Sequence, residues 1–319
     1  MPLYRKDVLD LDDFSPDEIR LVLDTADAMK EILSRPIKRV PALRGKTVVN
    51  LFYEPSTRTR VSFELAAKNL SADVVNVSAS GSSVEKGESL IDTVRTLRSL
   101  GADFVVMRHP ASGAPYLVAR HFEGSVINGG DGCHAHPTQA LLDLYTVREK
   151  LGRIEGIKLV IVGDIAHSRV ARSDIWGFTK MGAHVVLCGP PTLIPRGIEC
   201  LGARDSLGHG CVCIEHDLDR ALEDADVVMA LRIQKERMMG GFLPSLREYT
   251  RLYGLTSQRL SRAKRNVLVM HPGPMNEGVE IMPEVAYGRQ SVIEEQVTNG
   301  VAIRMALLFL LAGGSGVVG

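Results

Sequence analysis

Net charge is the first thing this sequence lacks: 38 Lys and Arg balance 38 Asp and Glu over 319 residues. Without an overall field there is no electrostatic pull toward nucleic acid or an anionic membrane, so any anion must be bound by a local cluster. Long apolar runs are missing too. The most apolar stretch, Met305 to Ala312, falls far short of the roughly 20 residues that span a bilayer. Near the N-terminus Asp10, Asp12 and Asp13 stand where a signal peptide needs an apolar core, so a cytoplasmic location is expected. Cysteines are few and odd in number: Cys133, Cys188, Cys200, Cys211 and Cys213. Cys188 and Cys213 fall in expected strands, as small buried hydrophobes do in reducing compartments. Cys211-Val212-Cys213 has no partner pair at ligand spacing, and neither does the Cys133, His134, His136 group, so no metal is expected. Internal repeats and low-complexity tracts are absent, as are the Walker and Gly-x-Gly-x-x-Gly spacings, so neither a Walker phosphate loop nor a dinucleotide fingerprint is expected.

What is present is an ordinary globular composition, 45% hydrophobic, in a chain long enough for two domains of about 150 residues each. Continuous β-branched runs at Thr47–Phe52, Val74–Val77, Phe104–Met107 and Val126–Ile127 alternate with segments of helical period. A second set follows at Leu159–Val162, His184–Leu187, Val212–Ile214, Val227–Ala230 and Val267–Met270. Continuous runs favour parallel strands covered on both faces, which predicts an α/β fold of two doubly wound domains. Ser15-Pro16-Asp17-Glu18 predicts a capped helix to about Leu33, and His136-Pro137-Thr138 one that runs to about Lys150 and joins the domains. The expected boundaries are 1–150 and 151–292, with an apolar C-terminal helix from Ile293 (293–319) returning to the first domain.

Hydroxyls and guanidiniums crowd into Ser56-Thr57-Arg58-Thr59-Arg60, just after a strand that Pro55 stops and just before a helix. Unpaired backbone N–H groups at a helix start, with arginines and hydroxyls around them, make a cradle suited to phosphate. A capped helix with solvated arginines is the plainer alternative. Arg108 follows a strand at its carboxyl end, where doubly wound sheets bind ligands.

These residues resemble the signature of the aspartate/ornithine carbamoyltransferase family. Arg108-His109-Pro110, His136-Pro137-Thr138-Gln139 and His271-Pro272-Gly273-Pro274 recur in the family's order, so the resemblance covers essentially the whole chain. It implies transfer of a carbamoyl group from carbamoyl phosphate to an amine, with no cofactor, because the substrate already carries its leaving group. Ser56, Thr57, Arg58 and Thr59 would hold the phosphate, and Thr59, Arg108 and His136 would point at the carbonyl oxygen. Gln139 and the backbone of Gly273 and Pro274 would receive the carbamoyl NH₂. Either His136 or the phosphate would handle the amine proton. The family also implies a homotrimer in which a loop bearing Ser82 and Lys86 enters the neighbouring subunit's site.

A dicarboxylate acceptor calls for arginines, a cationic one for carboxylates. Arg169, after the strand at Leu159–Val162, and Arg232 and Gln234, after the strand at Val227–Ala230, resemble the family's aspartate branch. They, with Lys86, would contact L-aspartate, giving N-carbamoyl-L-aspartate and phosphate in pyrimidine synthesis. The ornithine branch is expected to show His-Cys-Leu-Pro, which is absent. Val170 and Gly273 depart from some members, which carry Thr and Leu there; a missing side-chain hydrogen bond is the larger change. A regulatory chain or dihydroorotase is a possible partner in the family; no nucleic acid or membrane partner is expected.

Overall fold

The computed structural model describes residues 3–78, 89–202, 211–234 and 245–313. In chain order the elements are α1 (Pro16–Ser34), β1 (Thr47–Phe52), α2 (Thr57–Asn69), β2 (Asp73–Ser78), α3 (Leu90–Ser99), β3 (Phe104–His109), α4 (Ala114–His121), β4 (Ser125–Asp131), α5 (Pro137–Leu151), β5 (Lys158–Val162), α6 (Arg169–Lys180), β6 (His184–Cys188), β7 (Val212–Glu215), α7 (Leu218–Leu222), β8 (Val227–Ala230), α8 (Leu246–Tyr253), α9 (Ser257–Leu260), β9 (Leu268–Met270), α10 (Pro283–Ala286) and α11 (Ile293–Leu311). The chain divides into two compact units, residues 1–145 with 297–319, and residues 146–296. Both divisions fall inside helices, α5 and α11.

Each unit is built on one parallel sheet, ordered β2-β1-β3-β4 in the first and β7-β6-β5-β8-β9 in the second. The doubly wound expectation holds. In both sheets the strand order reverses once, between β1 and β3 and between β5 and β8. Loops leaving two such strands part to opposite faces and leave a crevice at the carboxyl edge. Whereas the runs in the edge strands β2 and β7 are largely half-buried or exposed, the inner strands are buried along nearly their whole length, as Val48 to Phe52 and Leu159 to Val162 show. Helix-covered parallel strands require this. On one face of the first sheet Val49, Leu51, Val105, Met107 and Val126 pack with Val94, Val118 and Phe122. In the second, Val160, Val162, Val228, Ala230 and Val269 pack with Leu218, Leu222 and Tyr249.

One edge of each sheet is covered, β4 in the first and β9 in the second. The N-terminal segment pairs with β4 through Val8 N to Val126 O (2.9 Å) and Asn128 N to Val8 O (2.8 Å). On β9, Val269 N donates to Gln290 O (2.8 Å) and Val292 N to Val269 O (2.9 Å). Strand edges protected in this way do not recruit another chain. β7 remains an edge strand, and this corrects one expectation: Cys188 on β6 is buried, but Cys213 on β7 is exposed. Burial pushes the Cys188 thiol up to about 12.

The N-cap of α1 is Ser15, with Glu18 completing a capping box and Pro16 in the first turn, as the sequence predicts. The C-terminal helix returns to the first unit: Lys30 Nζ donates to Asn299 Oδ1 at 2.8 Å, and the Arg304 guanidinium lies 5.0 Å from the centre of the Phe63 ring.

One device recurs at the amino ends of both sheets. Asp103, before β3, accepts Thr47 N (2.9 Å) and Lys46 Nζ (2.9 Å). Asp226, before β8, accepts Lys158 N (2.9 Å) and Lys264 Nζ (2.8 Å). Each satisfies the first N–H of the strand beside it. The single tryptophan, Trp176 on α6, reports on the second unit. Asp226→Ala should therefore lower the stability seen by Trp176 fluorescence in urea by about 1–3 kcal/mol, the cost of stranding a buried donor; an unmoved midpoint would show that the Asp226 contacts carry no weight.

Candidate active site

Parallel strands aim their carboxyl ends at one edge, and the helices that follow begin there. After β1 the chain passes Pro55 and turns into α2 with Ser56 as N-cap, its hydroxyl accepting Thr59 N at 3.4 Å. The helix starts at Thr57, earlier than the periodic run suggests, so Thr57 to Arg60 form its first turn. That turn holds no acid, whereas α1 places Asp17 and Glu18 in its own. A first turn without carboxylates leaves the helix's partial positive charge for an external anion. Arg58 is exposed, and no carboxylate pairs with it among the described residues. Desolvation of its guanidinium pulls its pKa below the usual arginine value. Thr57 is exposed and Ser56 half-buried.

Thr59 is buried and lies against Gly129 on β4, where an added Cβ would come within 3.6 Å of its methyl group. Arg108 on β3 donates from Nη1 to Gly129 O at 3.2 Å, and its Nε stands 3.5 Å from Glu54 Oε2. Thr59 and Arg108 are thus brought to one glycine. β1, β3 and β4 are neighbours, with Phe52 beside Arg108 and His109 beside Asp131, so the residues that follow these strands share one edge.

After β4 the loop folds over Asp131, which is fully buried. Its carboxylate accepts Gly113 N (2.6 Å), Asn128 Nδ2 (2.8 Å) and Ala135 N (3.1 Å). His136 follows, buried, and its carbonyl accepts Gln139 N (3.0 Å) and Ala140 N (3.3 Å) to begin α5. Its Nδ1 lies 3.5 Å from Thr138 Oγ1. Gln139 is buried one turn in and donates from Nε2 to Asp143. Among the described residues, Ser56, Thr57, Arg58, Thr59, Arg108, His136 and Gln139 all fall in the first unit, at the carboxyl edge of its sheet.

The second unit repeats the plan at its own reversal of strand order. After β5, Gly163 has φ +132°, and an added Cβ would meet Leu231 O at 2.7 Å, so the loop after β8 can lie against it. Leu231 N donates to Val162 O (2.8 Å). Asp164 is fully buried and accepts His167 N (3.2 Å), His167 Nδ1 (2.8 Å) and Gln234 N (3.2 Å), tying the two loops together. Ser168 caps α6, accepting Ala171 N (3.1 Å), and Arg169 is its buried first residue. Arg232 and Gln234 are half-buried on the loop after β8. After β9, His271 is buried, accepts Gly273 N at Nδ1 (2.8 Å), and faces Glu280 through Nε2 (3.3 Å). Glu280 also accepts Asn276 N (2.6 Å), which shapes the loop bearing Gly273 and Pro274, joined by a cis peptide. Gly273 and Pro274 therefore belong to the unit that carries Arg169, Arg232 and Gln234. Ser82 and Lys86 lie outside the described residues.

Among the described residues no three His, Cys, Asp or Glu side chains converge as a metal would require. His134 is engaged otherwise, with Asp131 Oδ2 at 3.1 Å and Asp10 Oδ2 at 3.6 Å. Motifs do not single out Asp131, Asp164 or Glu280. An acid at or just past the carboxyl end of an expected strand is the signal that would find the first two.

With this geometry in place, comparison with known proteins is decisive. Residues 6–149 match the aspartate/ornithine carbamoyltransferase, carbamoyl-P binding domain, and residues 155–311 match the Asp/Orn binding domain. The chain belongs to the aspartate/ornithine carbamoyltransferase family. It is 68% identical over 310 residues to the aspartate carbamoyltransferase catalytic subunit of Roseiflexus castenholzii, covering 97% of this chain and 96% of that one. The catalytic subunit of Chloroflexus aurantiacus is 65% identical over 98% of this chain and 100% of its own. Among solved structures, aspartate transcarbamoylase from Trypanosoma cruzi in complex with N-(phosphonacetyl)-L-aspartic acid superposes with a TM-score of 0.88 at 31% identity, covering 95% of each chain. Ornithine carbamoyltransferase from Pyrococcus furiosus gives 0.86 at 30% identity over 99% of each chain. The carbamoyltransferase fold thus serves either acceptor, and the acceptor must be argued from side chains.

The Asp131 loop of this carbamoyltransferase also carries a pH dependence. Burial raises Asp10 to about 6, with Asp12 and Asp131 adding to the rise while its backbone bond to Leu11 and His134 oppose it. Asp131, by contrast, raises the pKa of His134. The folded value of Asp10 lies above the unfolded one, so its contribution is full below about pH 4 and lost as pH rises toward about 6. Asp10→Asn, neutral throughout, should stabilise the protein by up to about 3 kcal/mol at pH 8 and by nothing at pH 4. Thermal melts at the two pH values test this, and a gain at pH 4 equal to that at pH 8 would refute it.

Proposed function

We propose that this chain transfers the carbamoyl group of carbamoyl phosphate to the amine of L-aspartate, giving N-carbamoyl-L-aspartate and phosphate. The observation that carries it is the first turn of α2, where Arg58, with no carboxylate partner among the described residues, stands among hydroxyls with no acid in the turn. The first unit is read as the carbamoyl-phosphate domain. Ser56, Thr57, Arg58 and Thr59 bind the phosphate; Thr59, Arg108 and His136 polarise the carbonyl, and that oxygen gains negative charge as the amine attacks. Gln139 and the Gly273–Pro274 backbone take the NH₂. A carbonyl carbon bound to phosphate through oxygen needs only orientation and neutralisation of the developing oxyanion.

The second unit is read as the aspartate domain. Arg169 at the start of α6 and Arg232 on the loop after β8, both at the strand-order reversal, can pair with a dicarboxylate, and an acceptor with a cationic side chain would need acids in their place. Relatives named aspartate carbamoyltransferase at 65–68% identity support the same acceptor. Arg58→Ala should weaken carbamoyl phosphate binding and turnover by roughly 2–5 kcal/mol, the scale of a desolvated charge pair. Arg232→Ala should instead raise the aspartate KM and leave phosphate binding near wild type. Calorimetry with phosphate and steady-state kinetics with aspartate separate the two, and a reversed pattern would overturn the division of substrates.

We also infer a homotrimer in which Ser82 and Lys86 serve a neighbouring subunit's site. In support, Val61 and Leu65 on α2 and Val75 on β2 are exposed at 41%, 46% and 46%, and the Asn76 to Glu64 bond (3.0 Å) holds the two elements side by side. Apolar residues grouped in this way suit an interface. A cytoplasmic location agrees with five free cysteines. Sedimentation of the isolated chain should give a three-chain mass, and full activity in a monomer would refute the shared site.

A further inference from the structure

The reading of Gln139 as a partner of the carbamoyl NH₂ leaves open what decides which end of its amide faces the substrate. An amide has one donor end and one acceptor end, and either can be turned outward unless a neighbour fixes it. Here the neighbour is Asp143, one turn further along α5 and fully buried. Gln139 Nε2 stands 3.1 Å from Asp143 Oδ1 and 3.3 Å from Oδ2. An ionised carboxylate only accepts, so the NH₂ of Gln139 must turn toward it and the carbonyl Oε1 must turn away. No hydrogen bond to Oε1 occurs among the described residues, so it is left as an acceptor.

A fully buried carboxylate stays ionised only beside a compensating charge. The cation whose charge couples to Asp143 is Arg304 on α11, buried over the Phe63 ring at 5.0 Å. Burial pulls its guanidinium down to about 10, and the charge of Asp143 acts in the opposite direction, so it remains a cation at neutral pH.

We propose that Asp143 is a positioning residue: it locks the Gln139 amide with Oε1 outward and so selects a substrate that bears an N–H donor on its carbonyl carbon. This rests on the carbamoyl phosphate reading. An amide locked the other way would favour an acceptor instead, and a freely turning one would select neither.

Two stable phosphonates separate this role from a merely structural one. Phosphonoacetamide and acetonylphosphonate differ only in NH₂ against CH₃ on the carbonyl carbon. Isothermal titration of the full-length protein should show a preference for the amide of about tenfold, the worth of one well-made hydrogen bond. Asp143→Asn should lower that preference to about twofold or less, while acetonylphosphonate binds about as in the wild type, because only the orienting carboxylate is lost. Since that variant leaves Arg304 buried without its counter-charge, Asp143→Asn with Arg304→Gln provides a charge-free pair for the same titration. A folded variant that keeps the wild-type preference, or loses both ligands in equal measure, would overturn the proposal. A wild type that binds both without preference would overturn it as well. A wild type that binds neither phosphonate would instead bring down the carbamoyl phosphate reading itself.

Discussion

Backbone N–H groups at the start of a helix need negative charge, and at the carboxyl edges of its two sheets this chain withholds its own. The first turns of α2, α5 and α6 contain no acid. They carry hydroxyls, a histidine cap, and arginines, which add positive charge to a place already electropositive. Such an arrangement costs stability unless an anion comes from outside. In a chain whose charges sum to zero, concentrating cations at these edges is how two anionic substrates are recognised without a global field.

The acids removed from those turns reappear behind them. Asp131, Asp143, Asp164 and Glu280 are all buried, and each accepts hydrogen bonds from the loop or helix that carries a candidate substrate group. Facing the substrate, a carboxylate would repel phosphate or aspartate. One layer back it holds histidines, backbone amides and a glutamine in place, at full strength because water is excluded. Asp164 joins the loops after β5 and β8, and Glu280 with His271 shapes the loop bearing Gly273 and Pro274. Positioning of this kind is what a reaction with a good leaving group demands of the protein, more than acid or base strength.

Both units solve the same architectural problem in the same way. A parallel sheet whose order reverses once has a crevice at the reversal, and each unit places two arginines at or after the carboxyl ends of the flanking strands: Arg58 and Arg108 in one, Arg169 and Arg232 in the other. Asp103 and Asp226 stitch the opposite ends, satisfying the first N–H groups of β1 and β5. The amino edge is thus concerned with backbone satisfaction, and the carboxyl edge is left to carry chemistry.

Local features were readable from the sequence because their causes are local. Continuous β-branched runs marked the parallel strands, Ser15 marked the start of α1 through a bond three residues long, and the cluster at Ser56 to Arg60 marked an anion cradle before a helix. What lies across the chain was not readable. That Thr59 and Arg108 meet at Gly129, that Asp164 ties Gln234, or that Lys30 meets Asn299 depends on strand order and helix return, which no short-range period encodes. Cys213 shows the same limit: its run reads as a buried strand, but β7 falls at an open edge, and burial of a strand is decided by its neighbours. The sequence by itself determined which residues would be helix caps, strands and cations, since these follow from each residue's own propensity and near neighbours. Tertiary structure alone decided which cations share an edge and which acids stand behind them, since both follow from pairing between segments far apart in the chain.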